Sequence, residues 1–334
     1  MKKFSVVVLL ILFFLFVGVA GIYLNIIAYA RKPGSTEPGE QVVIVQSGQK
    51  FRTISELLHK KGMISYPVKF RLFARIKGYD NRIKAGEYLL SSAMTPGKIL
   101  EIMVDGKVRL HRLTIPEGYN LRQIAQAVET AGFGTEADFL KVATDPEFVI
   151  AAGIEAQTLE GYLFPDTYYF PLGAKPKEII SAMMKRFRSA IRPEWKERAK
   201  NLELTVHQVV TLASMIEKET GVASERALIS SVFHNRMKRN MRLESDPTVI
   251  YGIEDFDGNI TRKDLAYPTP YNTYTIKGLP PGPISNSGIE AIEAALYPAD
   301  TKYLYFVSRK DRTHQFSTNF KDHNLAVRTY QLGR

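Results

Sequence analysis

The sequence predicts an α+β fold behind a single N-terminal transmembrane helix. Three observations predict it: an uncharged apolar run at the start of the chain, alternating strand and helix patterns over residues 41–115, and mostly helical patterns over residues 116–334. The chain has 334 residues, which is enough for about two domains. We therefore expect a small α+β module followed by a larger mixed domain.

The first element is the apolar run 4–24, which contains no charged residue. As a helix it would span about 30 Å, the thickness of a bilayer's hydrocarbon core. Two lysines in the stub 1–3 precede it, so the positive-inside rule keeps the stub in the cytoplasm and exports the rest. Ala28-Tyr29-Ala30 fits a signal-peptide cleavage pattern, but the run is longer than the usual core of such a peptide. We therefore favour a retained, single-pass anchor in the inner membrane.

The segment 25–40 is the predicted tether, because its second half is rich in Pro, Gly, Ser and Glu without a hydrophobic pattern. The module 41–115 follows. Its predicted elements are a strand at 42–46, helices at 51–61 and 67–77, a strand at 86–91, a helix at 95–105 and a strand at 108–115. Residues 42–62 resemble a LysM module, a peptidoglycan-binding fold that repeats a strand, a Ser-Gly turn and a short helix. A generic strand, turn and helix explains the same residues equally well.

Helical patterns dominate the domain 116–334. The predicted elements are helices at 120–131, 136–143, 176–191, 205–220, 224–240 and 322–332, with a strand at 303–308. The region 252–283 between them is rich in turn residues and aromatics.

Composition excludes several classes of site. The chain contains no cysteine, so it has no disulfide and no thiolate metal site, which fits an exported protein. The net charge of +11 favours anionic surfaces, either lipid headgroups or an acidic polymer, although a well-solvated basic surface is as good an explanation. The bases are scattered and no nucleic-acid motif accompanies them, so we expect no nucleic-acid partner. His314 and His323 lack metal-ligand spacing, and we predict no metal and no cofactor.

Two glutamates, Glu217 and Glu219, close the predicted helix 205–220. Thr205 and Gln208 form a capping box at its start, and the apolar residues that follow have helical spacing. The helix dipole disfavours negative charge in the last turn, so the pKa of each glutamate should rise. A carboxylic acid of this kind can protonate a leaving-group oxygen. Periodicity places the two glutamates on opposite edges of the apolar stripe and does not choose between them, and both could instead be exposed residues paired with bases.

The C-terminal two-thirds contains a series of short motifs. They are Leu159–Tyr168, Ala213–Thr220, Ser245–Tyr251, Tyr271–Tyr274, Gly278–Ile284, Tyr303–Val307 and His323–Asn324. In this order, behind an N-terminal anchor, they resemble the membrane-bound endolytic murein transglycosylases, the MltG or YceG-like family. The sequence departs from the family pattern at Glu244, where Gln is usual, at Ser287, where Pro is usual, and at 311–313, which are less Gly-rich.

The resemblance implies a lyase that cleaves the MurNAc–GlcNAc bond of nascent glycan strands without water and leaves a 1,6-anhydromuramyl end. One carboxylic acid suffices, first as acid toward the glycosidic oxygen and then as base toward the C6 hydroxyl. Such enzymes place this Glu directly before Ser or Thr at a helix end, which matches Glu219-Thr220. The resemblance thus gives Glu219 the catalytic role and leaves Glu217 as a supporting residue. The implied partners are glycan strands, membrane lipid and the synthases of the elongation or division machinery.

Further residues receive substrate-binding or supporting roles from the motifs. They are Glu160, Asp166, Tyr168, Asp246, Thr248, Tyr271, Asn272, Thr273 and Tyr274. A plain turn around Asp246 and an aromatic turn packed on a core at 271–274 are alternatives. Two other functions stay open: a non-catalytic wall-binding or division scaffold, and a hydrolytic muramidase that would use a second carboxylate such as Asp246.

Overall fold

The structure, a computed structural model, describes residues 2–35, 39–254 and 256–333 and is a mixed α+β fold. The helices are α1 (Lys2–Ala30), α2 (Phe51–Lys60), α3 (Pro67–Ile76), α4 (Pro96–Asp105), α5 (Leu121–Thr130), α6 (Glu136–Ala143), α7 (Pro146–Ala151), α8 (Pro176–Ala190), α9 (Pro193–Asn201), α10 (Val206–Glu219), α11 (Arg226–Lys238), α12 (Asp246–Tyr251), α13 (Arg262–Ala266), α14 (Ile289–Leu296) and α15 (Phe320–Val327). A 3₁₀ turn (Ala223–Glu225) precedes α11 and a π-helical turn (Arg328–Leu332) follows α15.

The strands form two-stranded sheets. They are β1 (Glu40–Val45), β2 (Gly86–Ser91), β3 (Leu110–Thr114), β4 (Thr167–Pro171), β5 (Tyr305–Ser308) and β6 (His314–Ser317), which pair as β1–β2, β3–β4 and β5–β6. The chain divides into two compact units, one of residues 1–111 with 169–173 and one of residues 112–168 with 174–334.

In the part of the chain that is described, α1 is the one helix long and apolar enough to cross a membrane, over Val6–Ala30. It extends through residues 25–30, which the sequence assigned to the tether. These residues include no Pro or Gly, so nothing interrupts the helix before Pro33. Ile26 and Ala30 are buried in the core of the first unit, one helical turn apart on the same face of α1.

The rest of the first unit is built on the antiparallel pair β1–β2, whose register runs from Glu40 opposite Ser91 to Val45 opposite Gly86. Its strands and helices lie within two residues of their predicted limits. The core packs fully buried side chains from β1, α2, α3, β2 and α4: Val43, Leu58, Phe70, Tyr88, Ile99 and Met103. The likeness to a LysM module stays a prediction.

The core of the second unit surrounds α10, which packs against α11 and α14. The predicted capping box is present: Gln208 N–H donates to Thr205 Oγ1 (3.1 Å) and Thr205 N–H donates to Gln208 Oε1 (2.8 Å). The helix ends at Glu219, and Thr220 is extended with φ −145°. The end therefore does not use a left-handed turn at Gly221.

Several short elements after residue 115 were not predicted: α7, α9, α12, α13, α14, β4 and β6. The helices among them are five to nine residues long, which is shorter than the window of about 11–18 residues in which helical periodicity is measured. Helices of this length depend on tertiary packing rather than on their own propensity.

Candidate active site

Glu219 is the last residue of α10 and is partly buried at the wall of a cleft of about 470 Å³. Side chains from α11, α12, β5, β6 and α15 complete the wall, including Arg236, Asp246, Tyr305 and His314. The cleft is therefore assembled from segments more than 100 residues apart in the chain.

A buried serine holds one oxygen of Glu219. Ser245 Oγ donates to Glu219 Oε1 at 2.5 Å, and Ser245 is 1% exposed. Ser245 is itself held by its N–H, which donates to Thr273 Oγ1 (2.9 Å), and by its carbonyl, which accepts from Thr248 Oγ1 (2.6 Å). Oε1 is occupied, whereas Oε2 has no hydrogen-bond partner among the described residues and is the oxygen available to a ligand of the cleft.

Burial raises the pKa of Glu219 to about 7, and the negative charge of Asp246 adds to the rise. The hydrogen bond from Ser245 and the positive charge of Arg236 oppose it, since both favour the carboxylate. The side chain is therefore divided between acid and carboxylate near neutral pH, which suits a group that gives and then takes a proton.

Asp246 and Tyr274 lie in the same cleft. Tyr274 Oη donates to Asp246 Oδ1 at 2.6 Å, and Asp246 is otherwise exposed. Burial, followed by the hydrogen bond and charge of Asp246, raises the pKa of the Tyr274 hydroxyl. The pair thus offers a carboxylate and an aromatic ring to a ligand of the cleft.

Glu225 and His314 form a second polar pair, and His314, on β6, lines the cleft. The carboxylate of Glu225 accepts the backbone N–H of His314 at Oε1 (2.9 Å), and its Oε2 lies 2.7 Å from His314 Nδ1. Both side chains are about 10% exposed. Sequence reasoning considered His314 only as a metal ligand and did not consider Glu225, Ser245 or Arg236. Ser245 could have been found from the sequence, since it begins the motif Ser245–Tyr251 and directly precedes Asp246.

Glu217 lies in different surroundings from Glu219. Its Oε2 accepts the backbone N–H of Gly288 (3.0 Å), which is the N-cap residue of α14. Burial is the largest cause of a raised pKa at Glu217 as well. The two glutamates of α10 thus differ in partner and location, although both have a raised pKa.

Glu160 is 3% exposed and joins three segments. Its Oε2 accepts from Leu121 N–H (3.0 Å) and Tyr251 Oη (3.1 Å), and its Oε1 accepts from Asn286 Nδ2 (2.8 Å). Burial raises the pKa of Glu160 to about 7. It borders a separate cavity of about 760 Å³ beside α5 and α12 and does not line the Glu219 cleft.

Asp166 and Tyr168 also lie away from the cleft. Asp166 Oδ2 accepts from Arg186 Nε (2.7 Å), and this partner holds the pKa of Asp166 below its usual range. Tyr168 Oη donates to the carbonyl of Phe164 (2.6 Å), and burial raises the pKa of its hydroxyl.

The residues of the segment 271–274 have different surroundings. Asn272 is fully buried, and its Nδ2 donates to three carbonyls of residues 264–267. Thr273 is fully buried beside Thr248, with their hydroxyl oxygens 2.8 Å apart. Tyr271 packs against the ring of Tyr251 (centroids 4.8 Å apart) and lines a different cavity. Of this segment, only Tyr274 lines the cleft.

The described residues contain no group of three or more His, Asp or Glu side chains that could hold a metal ion. The side chains that line the cleft include the carboxyl groups of Glu219 and Asp246 and the hydroxyl of Tyr274.

Three comparisons identify relatives of this chain. The model of the YceG-like family matches residues 43–329. The endolytic murein transglycosylase of Bacillus subtilis (strain 168) is 33% identical over 302 residues, which cover 86% of this chain and 83% of that protein. The endolytic murein transglycosylase of Streptococcus pneumoniae serotype 2 is 32% identical over 317 residues, which cover 85% of this chain and 57% of that protein.

The fold has a counterpart of known structure. The crystal structure of a YceG-like protein from Listeria monocytogenes matches with a TM-score of 0.60 and 36% identity, over 86% of this chain and 99% of that chain. The family model and these relatives agree over most of the sequence, and the chain belongs to the YceG-like family.

Proposed function

We propose that this protein is an endolytic murein transglycosylase that cleaves MurNAc–GlcNAc bonds in nascent glycan strands and so ends their elongation. One observation carries the proposal: Glu219, directly before Thr220 at a helix end, has a pKa of about 7 in a cleft, and its Oε2 has no hydrogen-bond partner among the described residues. Relatives at 32–33% identity bear the name of this activity.

In the first step the protonated Glu219 gives its proton to the glycosidic oxygen. The bond from C1 of MurNAc to that oxygen breaks, its electron pair stays on the oxygen, and GlcNAc leaves with a free hydroxyl. Positive charge develops at C1, and the carboxylate of Asp246 in the same cleft stabilises it.

In the second step the Glu219 carboxylate removes the proton of the C6 hydroxyl, and that oxygen bonds to C1. The anhydro ring closes without water and Glu219 is protonated again. The hydrogen bond from Ser245 favours the carboxylate that this step requires. We assign Tyr274 to sugar contact, and Thr248, Asn272 and Thr273 to the support of this wall. Five residues that do not line the cleft support the fold elsewhere: Glu160, Asp166, Tyr168, Glu217 and Tyr271.

The setting of the reaction is part of the proposal. We infer that α1 anchors the protein in the inner membrane with Lys2 and Lys3 in the cytoplasm. The first unit would then hold glycan as a LysM-like module, and synthases of elongation or division would supply the strands.

The test is digestion of purified glycan strands by the full chain in detergent, with mass analysis of the new ends. We expect anhydro ends from the parent protein and a loss of about 10²-fold or more in Glu219→Gln, since general acid–base catalysis contributes that much. The control is Glu217→Gln, whose amide oxygen can still accept from Gly288 and which should stay active. Full activity in Glu219→Gln with loss in Glu217→Gln would overturn the assignment.

A hydrolytic muramidase is the second candidate, because Asp246 places a second carboxylate in the cleft. It predicts reducing ends, one water heavier than anhydro ends, which disappear in Asp246→Asn. If the protein is a lyase, the parent protein produces anhydro ends, and so does Asp246→Asn to the extent that it still cleaves. Absence of cleavage by the parent protein would favour a wall-binding scaffold.

A further inference from the structure

Helix α3 carries an exposed apolar stripe. Val68, Leu72 and Ile76 are 57%, 41% and 44% exposed. They follow one another at four-residue spacing and so form one row along the helix. Phe70 and Ala74 are buried on the other side of α3. The exposed face of a helix is normally polar. An exposed apolar row is typical of a surface that binds a partner or a membrane, and no such partner is present among the described residues.

The stripe lies close to the point where α1 leaves its apolar run. Ile26 and Ala30 of α1 share one core cluster with Phe70 of α3. The rings of Tyr29 and Tyr66, at the start of α3, meet edge to face with centroids 6.0 Å apart. Helices α1 and α3 therefore pack together within the first unit.

This packing sets the depth of α3 in a membrane crossed by α1. The apolar run 4–24 ends at Leu24, directly before the polar Asn25, and a helix rises about 1.5 Å per residue, so Tyr29 lies only about 7 Å beyond that run. A headgroup layer adds about 5–7 Å to each side of the hydrocarbon core. A helix packed on residues 26–30 then lies at the level of the headgroups, where its exposed side chains meet lipid.

The charges beside the stripe fit the same surroundings. Lys69, Arg71 and Arg75 are on α3 itself, and Lys69 Nζ lies 4.8 Å from the centroid of the Tyr66 ring. Residues 25–111 contain 15 Lys and Arg against seven Asp and Glu. An apolar row with bases on either side and a nearby tyrosine is the composition of helices that lie in a membrane interface.

We propose that α3 is an interfacial helix, which seats Val68, Leu72 and Ile76 in the extracytoplasmic leaflet of the bilayer that α1 crosses. Its bases meet lipid phosphates. The first unit then has two attachments to the membrane, which fix its orientation on the surface. The inference rests on α1 being the anchor and is independent of the role of Glu219.

The absence of cysteine makes a direct test possible. Single-cysteine variants Val68→Cys, Leu72→Cys and Ile76→Cys of the full chain are labelled with an environment-sensitive fluorophore and placed in phospholipid nanodiscs, with and without nitroxide-labelled lipid. Leu15→Cys in α1 is the positive control. Ile150→Cys, at a position 73% exposed in the second unit, is the negative control.

We expect nitroxide lipid to quench the three α3 labels and the Leu15 label, and to leave the Ile150 label bright. Quenching at Leu15 with α3 labels as bright as Ile150 would overturn the inference while the anchor stands. Blue-shifted α3 labels that nitroxide lipid does not quench would also overturn it, because a protein surface such as a second copy would then cover the stripe. No quenching at Leu15 would reject the anchor, and the inference with it.

Discussion

Ser245 Oγ donates a 2.5 Å hydrogen bond to Glu219 Oε1, across 26 residues of sequence. The serine is buried and held through its backbone by Thr248 and Thr273, so the position of Glu219 depends on a polar network outside its own helix. This relationship leads to the first prediction.

Ser245→Ala removes the donor that favours the Glu219 carboxylate. We expect the pKa of Glu219 to rise further and the rate to fall about 10-fold, since a hydrogen bond to a charged group contributes about 1.5–3 kcal/mol. The measurement is kcat/KM against pH. The alkaline limb of this profile, where kcat/KM falls as Glu219 loses its proton, should move to higher pH. Ser230→Ala is the matched control, because Ser230 is fully buried and its Oγ has no partner among the described residues. An unmoved limb in Ser245→Ala would contradict the proposed contact.

The parent enzyme should lose activity as the pH rises through about 7. The pKa of Glu219 is raised from 4.5 to about 7, and the first step requires the protonated form. The rate should therefore be flat with respect to this group at lower pH and fall about 10-fold per pH unit above 7. Rates from about pH 5 to about pH 9 test this. A rate that rises through pH 7 would mean that Glu219 begins the reaction as a base.

His314 should contribute to glycan binding. Glu225 occupies its Nδ1, so Nε2 is the nitrogen left for a ligand of the cleft. We expect His314→Ala and Glu225→Gln to raise KM by about 10-fold, the cost of one hydrogen bond, with little change in the alkaline limb. His59→Ala, a histidine of the first unit that bonds to the carbonyl of Ile64, is the control. Unchanged KM in both variants, with the fold intact by melting temperature, would remove His314 from the substrate site.

Gly161 should tolerate no side chain. Its φ is +84°, and an added Cβ would lie 2.5 Å from Pro283 Cγ and 2.8 Å from Val210 Cγ1. Gly161→Ala should therefore lower the free energy of unfolding by about 3 kcal/mol, from backbone strain and overpacking together. Gly173 has nearly the same φ, +83°, with open space around it, so Gly173→Ala should cost only about 1 kcal/mol. Denaturant unfolding of the two variants measures the difference, and equal losses would show that packing at Gly161 is not tight.

Local structure was largely predictable from the sequence. The capping box of Thr205 and Gln208 and the elements of the first unit depend on periodicity and on residues three or four apart, which a linear pattern contains. The extent of α1 was underestimated because its last turn is stabilised by the burial of Ile26 and Ala30, a tertiary effect. Helix α14 was missed although it packs directly against α10, since eight residues are too few for a clear period.

The sequence by itself determined the family, the apolar N-terminal helix and a helix that ends in Glu217 and Glu219. It placed the two glutamates on opposite edges of one stripe but could not tell their surroundings apart. Only the tertiary structure decided that Glu219 meets Ser245 in a cleft, that Glu217 meets Gly288 at the start of α14, and that Glu160 is buried elsewhere. The physical reason is that desolvation and hydrogen-bond partners, which set the pKa of a carboxyl group, come from residues brought close through space and are not recorded in the spacing of the chain.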